Sequence, residues 1–248
     1  MKRLITICLI CVLFVVGTAM GDWSPGDPNK WVQLPDVNGW DVRAMSPTVL
    51  ADDWQCPLSG PVTDIHWWGS WKGDNEGTIE NFNIGIYSNI PATSDLPSKP
   101  GELLWNGAVY GIDRVPRGRE GWYNPDTGEY IQNDHAQYFQ YNVVDIVNPF
   151  VQTEGTIYWL SITANVVPEL MDPCDPSKGY KQWGWKSSID HWGDKAVYGH
   201  PSTNPGDWLP LVDPVTGGAI DLAFVITPEP ATICLFGLGA LSLFRKKR

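Results

Sequence analysis

The chain has 248 residues and a formal net charge of −11. Six of its 17 basic residues (Lys2, Arg3, Arg245, Lys246, Lys247 and Arg248) sit at the two ends, so the middle is more acidic than the total suggests. That balance argues against nucleic acid or anionic lipid as partners, and the roughly 205 residues between the ends are enough for one large core.

The order Met1-Lys2-Arg3, an apolar run from Leu4 to Val16, and the small stretch Gly17-Thr18-Ala19-Met20-Gly21 makes up the three parts of a secretory signal peptide. Residues 1–21 are therefore expected to form a signal helix that signal peptidase removes after Gly21. The run is short for a bilayer span. Cys8 and Cys11 fall inside it and say nothing about the exported protein.

From Asp22 to Thr227 no sustained helical periodicity occurs, whereas short alternating or apolar runs recur between Gly, Pro, Asn and Asp. This pattern predicts an all-β domain, a two-sheet β-sandwich of the jelly-roll kind. Predicted strands are Trp31–Leu34, Thr48–Trp54, Val62–Trp71, Asn81–Tyr87, Leu103–Tyr110, Gln137–Val144, Thr156–Ala164, Tyr180–Lys186, Lys195–Tyr198 and Asp221–Ile226. Phe82, Ile84 and Ile86 share one face, as do Tyr158, Leu160 and Ile162, and Leu222, Phe224 and Ile226. Ser88–Gly101, Ile112–Asp134 and Val167–Gly179 read as long loops, and the last predicted strand reaches Thr227 with almost no linker beyond it.

All 14 tryptophans lie between Trp23 and Trp208, an excess that invites glycan stacking. Trp183 and Trp185 share a strand face about 6 to 7 Å apart, and Trp67 and Trp71 share one across Gly69. Large aromatics also fill sandwich cores, so each indole has a core reading beside the glycan one. Acid–base chemistry on a sugar needs two facing carboxylates; Asp52, Asp53, Asp64, Glu76, Glu80, Glu120 and Glu129 are available, and nothing ranks them. Asp52 and Asp53 are neighbours on a strand and should face opposite ways. Asp64 and His66 share a face.

The histidines (His66, His135, His191, His200) form no HxH or HExxH pattern, and no GxSxG elbow or phosphate-binding glycine loop appears. No catalytic residue and no metal ligand set is assigned. Calcium is entertained only at Asp172, Asp175 and Ser177, where ordinary turn chemistry explains the same residues. Cys56 and Cys174 are the two cysteines of the exported region, and an oxidising compartment permits them to pair.

The chain closes on Thr227-Pro228-Glu229-Pro230, an apolar stretch from Ala231 to Phe244, and Arg245-Lys246-Lys247-Arg248. This order resembles the PEP-CTERM sorting tail of Gram-negative bacteria. The resemblance implies that an exosortase, a membrane-embedded cysteine transpeptidase, cuts near Pro228, Glu229 and Pro230. The basic quartet would hold the C-terminus in the cytoplasm and act as the membrane stop. An apolar helix over 231–244 reaches only about 21 Å against about 30 Å of hydrocarbon, a marginal span that suits a transient anchor. Leu50-Ala51-Asp52-Asp53-Trp54-Gln55-Cys56, Val62 to Trp71, and Ile220 to Ile226 are similar to a domain of unknown function found in other exported PEP-CTERM proteins. That likeness implies fold and compartment, and it transfers no catalytic residue.

The domain plan is thus a signal peptide (1–21), one β-sandwich (22–227) and a sorting tail (228–248). The expected role is an exported cell-surface, outer-membrane or extracellular-matrix protein, structural or adhesive, that binds exopolysaccharide. The competing expectation is a glycoside hydrolase or polysaccharide lyase on the same sandwich.

Overall fold

A computed structural model describes residues 22–109, 120–168 and 180–228. The expected signal and membrane helices, Glu229, Pro230, the basic end, Cys174 and the calcium candidates Asp172, Asp175 and Ser177 lie outside them. Among the described residues, no helix is long and apolar enough to cross a membrane.

The strands are β1 (Trp31–Gln33), β2 (Trp40–Arg43), β3 (Val49–Gln55), β4 (Gly60–Val62), β5 (Asp64–Trp71), β6 (Ile79–Ile90), β7 (Lys99–Val109), β8 (Glu120–Asn124), β9 (Glu129–His135), β10 (Phe139–Val143), β11 (Phe150–Gln152), β12 (Ile157–Val166), β13 (Trp183–Lys186), β14 (Val197–Gly199), β15 (Trp208–Pro210) and β16 (Phe224–Thr227). An eight-stranded sheet runs β1-β16-β5-β13-β2-β8-β9 with β10 added to β5. A six-stranded sheet runs β15-β14-β3-β12-β6-β7, and β4 pairs separately with β11. Every pairing between these strands is antiparallel except β2 with β8. The result is an all-β, sandwich-like arrangement of two main sheets.

The alternating runs behave as their period requires. Leu50 and Trp54 of β3, Phe82, Ile84 and Ile86 of β6, and Tyr158, Leu160 and Ile162 of β12 meet Ile65, Trp67, Trp71, Trp183, Trp185, Phe224 and Ile226 of the larger sheet in one core. Burying each such side chain stabilises the fold by about 1.5–3 kcal/mol before entropy is counted. Phe82 sits at the centre of an aromatic knot, 5.0 Å from the rings of Trp67 and Tyr141 and 5.1 Å from that of Trp183.

The outer faces are covered too. Trp23, Trp68, Tyr138, Ala223 and Val225 cluster outside the larger sheet. Ala51, Trp159 and Val197 do so outside the smaller one. Twelve of the 14 tryptophans belong to these three clusters or pack against them, Trp122 and Trp192 being the exceptions.

The expected strands all recur with shifted ends, but Ile112–Asp134 is not simply a long loop. Its second half folds into the β8–β9 hairpin. Asn124-Pro125-Asp126-Thr127-Gly128 forms the turn, closed by the Gly128 N–H donating to Asn124 O at 2.9 Å. Gly128 adopts φ +72° there, a conformation that glycine takes without steric cost. The exposed run Glu129 to Asn133 on β9 has no apolar alternation to announce a strand.

Candidate functional site: a buried charged cluster beside a polar cleft

Five adjacent strands of the larger sheet bring ionisable or hydroxyl side chains to one point on its outer face. Register fixes the arrangement: Asp41 of β2 lies opposite Lys186 of β13, Ser70 of β5 opposite Gly184, and Glu120 of β8 opposite His135 of β9. A Cβ at Gly184 would lie 2.9 Å from the Trp122 ring, so the glycine lets that indole pack across the strand beside the cluster. The side chains of Asp41, Glu120, His135 and Lys186 are all 0% exposed.

The Lys186 ammonium stands 2.6 Å from Glu120 Oε2 and 3.2 Å from Asp41 Oδ2. His135 Nε2 is 2.7 Å from Ser70 Oγ, 3.0 Å from Asp41 Oδ2 and 3.5 Å from Glu120 Oε2. Its Nδ1 faces Asp134 Oδ2 at 3.2 Å, and the same oxygen accepts the Gly73 N–H at 2.5 Å.

Burial alone would raise the Asp41 carboxyl, but the Lys186 charge and the His135 hydrogen bond hold it well below the usual carboxylate range. Glu120 is pushed up to about 8, by burial first and then by the Asp41 charge. Burial opposes charge on His135, yet its hydrogen bonds to Asp134, Asp41 and Glu120 raise it to about 11. Lys186 is likewise raised by Asp41 and Glu120 against its burial.

A second acidic group lies on the smaller sheet, where Asp52 and Asp53 take opposite faces of β3. Asp52 Oδ2 accepts from Leu222 N at 2.6 Å and from Gln33 Nε2 at 3.0 Å. Asp53 Oδ2 accepts from Asp194 N at 3.3 Å. Asp221 Oδ2 accepts from Trp192 N at 3.1 Å and lies 3.0 Å from His191 Nδ1. Burial, reinforced by mutual repulsion, raises Asp52 well above its ordinary value. Burial also brings Asp53 to about 7 against the Asp194 N–H. These carboxylates tie the β16 segment and the 190–194 turn to β3.

A cleft of about 670 Å³ opens where β2, β8, β9 and the 213–220 segment meet, and Glu120 is among the residues that line it. Trp40 lies on its wall, its ring packed flat over Gly121, where an added Cβ would come within 2.4 Å. Trp40 Nε1 donates to Asp213 Oδ2 at 3.0 Å. Asp213 Oδ1 in turn accepts from Val215 N and Thr216 N, so this carboxylate orders its own turn. Tyr130, 49% exposed, stands edge-on to Trp40 with ring centroids 6.0 Å apart.

The four tryptophans expected to stack on sugars do not line this cleft. Trp67, Trp183 and Trp185 are fully buried and Trp71 is 4% exposed, so none offers a face to a ring. Their strands are covered on both sides. Trp183 Nε1 donates to Tyr141 Oη at 3.0 Å and Trp185 Nε1 to Ala223 O at 2.9 Å, both inside the protein.

Asp64 and His66 share a face and feel each other's charge, but each makes its hydrogen bonds elsewhere. His66 Nδ1 meets Asn142 Oδ1 at 2.6 Å, and Asp64 accepts the Asp145 N–H at 2.7 Å. Of the other carboxylates considered, Glu120 enters the buried cluster, while Glu129 pairs on the surface with Lys72 at 2.7 Å. Cys56 is buried, its thiol donating to Leu58 O at 3.1 Å, and Cys174 lies outside the described residues. Asp41, Ser70 and Lys186 carry no motif. What marks them is a polar residue inside a short tryptophan-rich strand, as in Trp40-Asp41-Val42, Gly69-Ser70-Trp71 and Trp185-Lys186.

The family described as Domain of unknown function (DUF7901) matches residues 29–227. The chain belongs to this family. The DUF7901 match covers nearly all the described sandwich, including both acidic clusters and the cleft. The PEP-CTERM protein-sorting motif matches residues 227–248, beginning at the last residue of β16. It identifies an exported protein processed by an exosortase. No curated protein and no solved structure is significantly similar to the chain.

Proposed function

We propose that the DUF7901 domain is a non-catalytic, jelly-roll-like module of the cell surface or extracellular matrix. In this reading it binds a neutral exopolysaccharide in the cleft at Trp40. The observation that carries it is the lining: Asn38, Gln132, Asn133 and Thr216 stand around the Trp40 indole, which is 8% exposed, and no lysine or arginine lines the cleft among the described residues. Amides and hydroxyls match sugar hydroxyls. Asp36 and Asp213 on the same wall would repel a uronate-rich chain, which makes a neutral glycan the better partner. Asp213 is already committed to Trp40, Val215 and Thr216, which favours binding over carboxylate-driven hydrolysis.

The test is titration of the purified protein with dextran, laminarin and alginate, read by tryptophan fluorescence alongside assays for reducing sugar and unsaturated product. Saturable binding of a neutral glycan without turnover is expected. Gln132→Ala, at an exposed position of the lining, should weaken it about tenfold while changing stability by less than about 0.5 kcal/mol. Turnover lost on changing one carboxylate would establish an enzyme instead, and silence toward every neutral glycan would leave only a structural role.

A further inference from the structure

We propose that Asp41, Glu120, His135 and Ser70 form a binding site for one divalent transition-metal ion of the zinc or manganese class. The donor atoms come from β2, β8, β9 and β5, and those of Asp41, Glu120 and His135 all lie within 4.8 Å of one another. Ligands of a tetrahedral ion with bonds near 2.1 Å stand about 3.4 Å apart. His135 Nε2 stands 3.0 Å from Asp41 Oδ2 and 3.5 Å from Glu120 Oε2, with Ser70 Oγ closer at 2.7 Å.

Hydrogen supply points the same way. Both ring nitrogens of a charged His135 donate, Nδ1 to Asp134 and Nε2 to Asp41; an ion would take the place of the Nε2 proton, leaving the one hydrogen on Nδ1 and the lone pair toward the other oxygens. Ser70 can donate to that lone pair, but the two carboxylates cannot. A cation at the focus serves all four donors at once, and a carboxylate gripping the far side of the ring is the usual support for a metal-bound histidine.

Lys186 does not finish the cluster alone, because its ammonium reaches Asp41 Oδ2 and Glu120 Oε2 only. Asp41 Oδ1 and Glu120 Oε1 are buried without a hydrogen-bond partner among the described residues. Orphan acceptors of this kind call for an explanation, and an ion is one of the few that applies. One imidazole nitrogen among oxygens suits zinc or manganese better than calcium, which takes six to eight oxygens. With every ligand buried, the ion would load during folding and act structurally.

The purified protein would be unfolded with a chelator and refolded with none, Zn²⁺ or Mn²⁺ added. Elemental analysis is expected to find about one ion per chain, and the unfolding temperature should rise by roughly 5 °C or more, increasingly with metal concentration. Co²⁺ should give visible d–d bands that report the coordination shell. His135→Gln, or Glu120→Gln should that variant fail to fold, should abolish both bands and metal-dependent stabilisation. If wild-type protein refolds to the same unfolding temperature with less than about 0.1 ion per chain, the cluster is an ion-pair network only. If the glutamine variant keeps the ion, the metal is bound elsewhere. Both results overturn the proposal, and neither bears on glycan binding, which is read separately at the cleft.

Discussion

The two faces of the larger sheet solve the same problem with opposite chemistry. On β5 and β13 the inner face presents Trp67, Trp71, Trp183 and Trp185 to the core, while the outer face of the same strands presents Ser70 and Lys186 to Asp41, Glu120 and His135. Both faces are dry. The inner one gains from apolar area and tolerates approximate partners. The outer one holds only because each charge meets an opposite charge, so a missing partner leaves a buried ion uncompensated.

The largest effects should come from breaking each face in turn. On the inner face, Trp183→Ala removes an indole wedged against Phe82 and Tyr141. A loss of about 4 kcal/mol is expected in urea unfolding, the range for emptying a large aromatic site. Full stability combined with lost glycan binding would instead return Trp183 to the sugar-stacking role. On the outer face, Lys186→Met keeps most of the volume but strands Asp41 and Glu120. The expected cost is about 3 kcal/mol. A cost below about 1 kcal/mol would mean that the two carboxylates do not depend on the ammonium.

The inner face was legible in sequence and the outer one was not, for a physical reason. Alternation such as Phe82-Asn83-Ile84 states which side chains avoid water, and it located β6, β12 and most of the core. It also implies that the other face is wet, which fails where a second layer covers it. His135 and Glu120 lie on a hairpin read as loop because β9 shows solvent a polar face. Asp41 lies on a strand of four residues, too short for a period to register. Their meeting depends on strand order β5-β13-β2-β8-β9, which no local pattern encodes. The same blindness leaves Trp183 and Trp185 with two readings in sequence, sugar platform and core, since shared-face spacing is identical for a binding strip and a core stripe. The sorting tail needed no tertiary information, because its signals are read as linear order.

The comparison extends to the smaller sheet at Asp53, where a carboxylate is buried on an outer face with no counter-ion in its hydrogen bonds. Asp53 Oδ2 accepts only the Asp194 N–H at 3.3 Å, its Oδ1 has no partner among the described residues, and Asp52, Asp194 and Asp221 add negative charge nearby. Burial therefore raises it from 3.8 to about 7. Between those two values the folded state holds a proton that the unfolded chain has released, so stability is fullest below the lower value and drains away as pH rises through the upper one. Asp52 and Asp221, raised by the same burial, steepen the slope in the same sense. The urea midpoint should accordingly fall from pH 5 to pH 8. Asp53→Asn, which keeps the acceptor for Asp194 N and cannot ionise, should flatten that fall and stabilise the domain by about 1–2 kcal/mol at pH 8 while changing little at pH 4. A midpoint that rises over this interval, or a variant with an unchanged slope, would mean that Asp53 meets a cation or water. The two sheets would then bury charge by the same means.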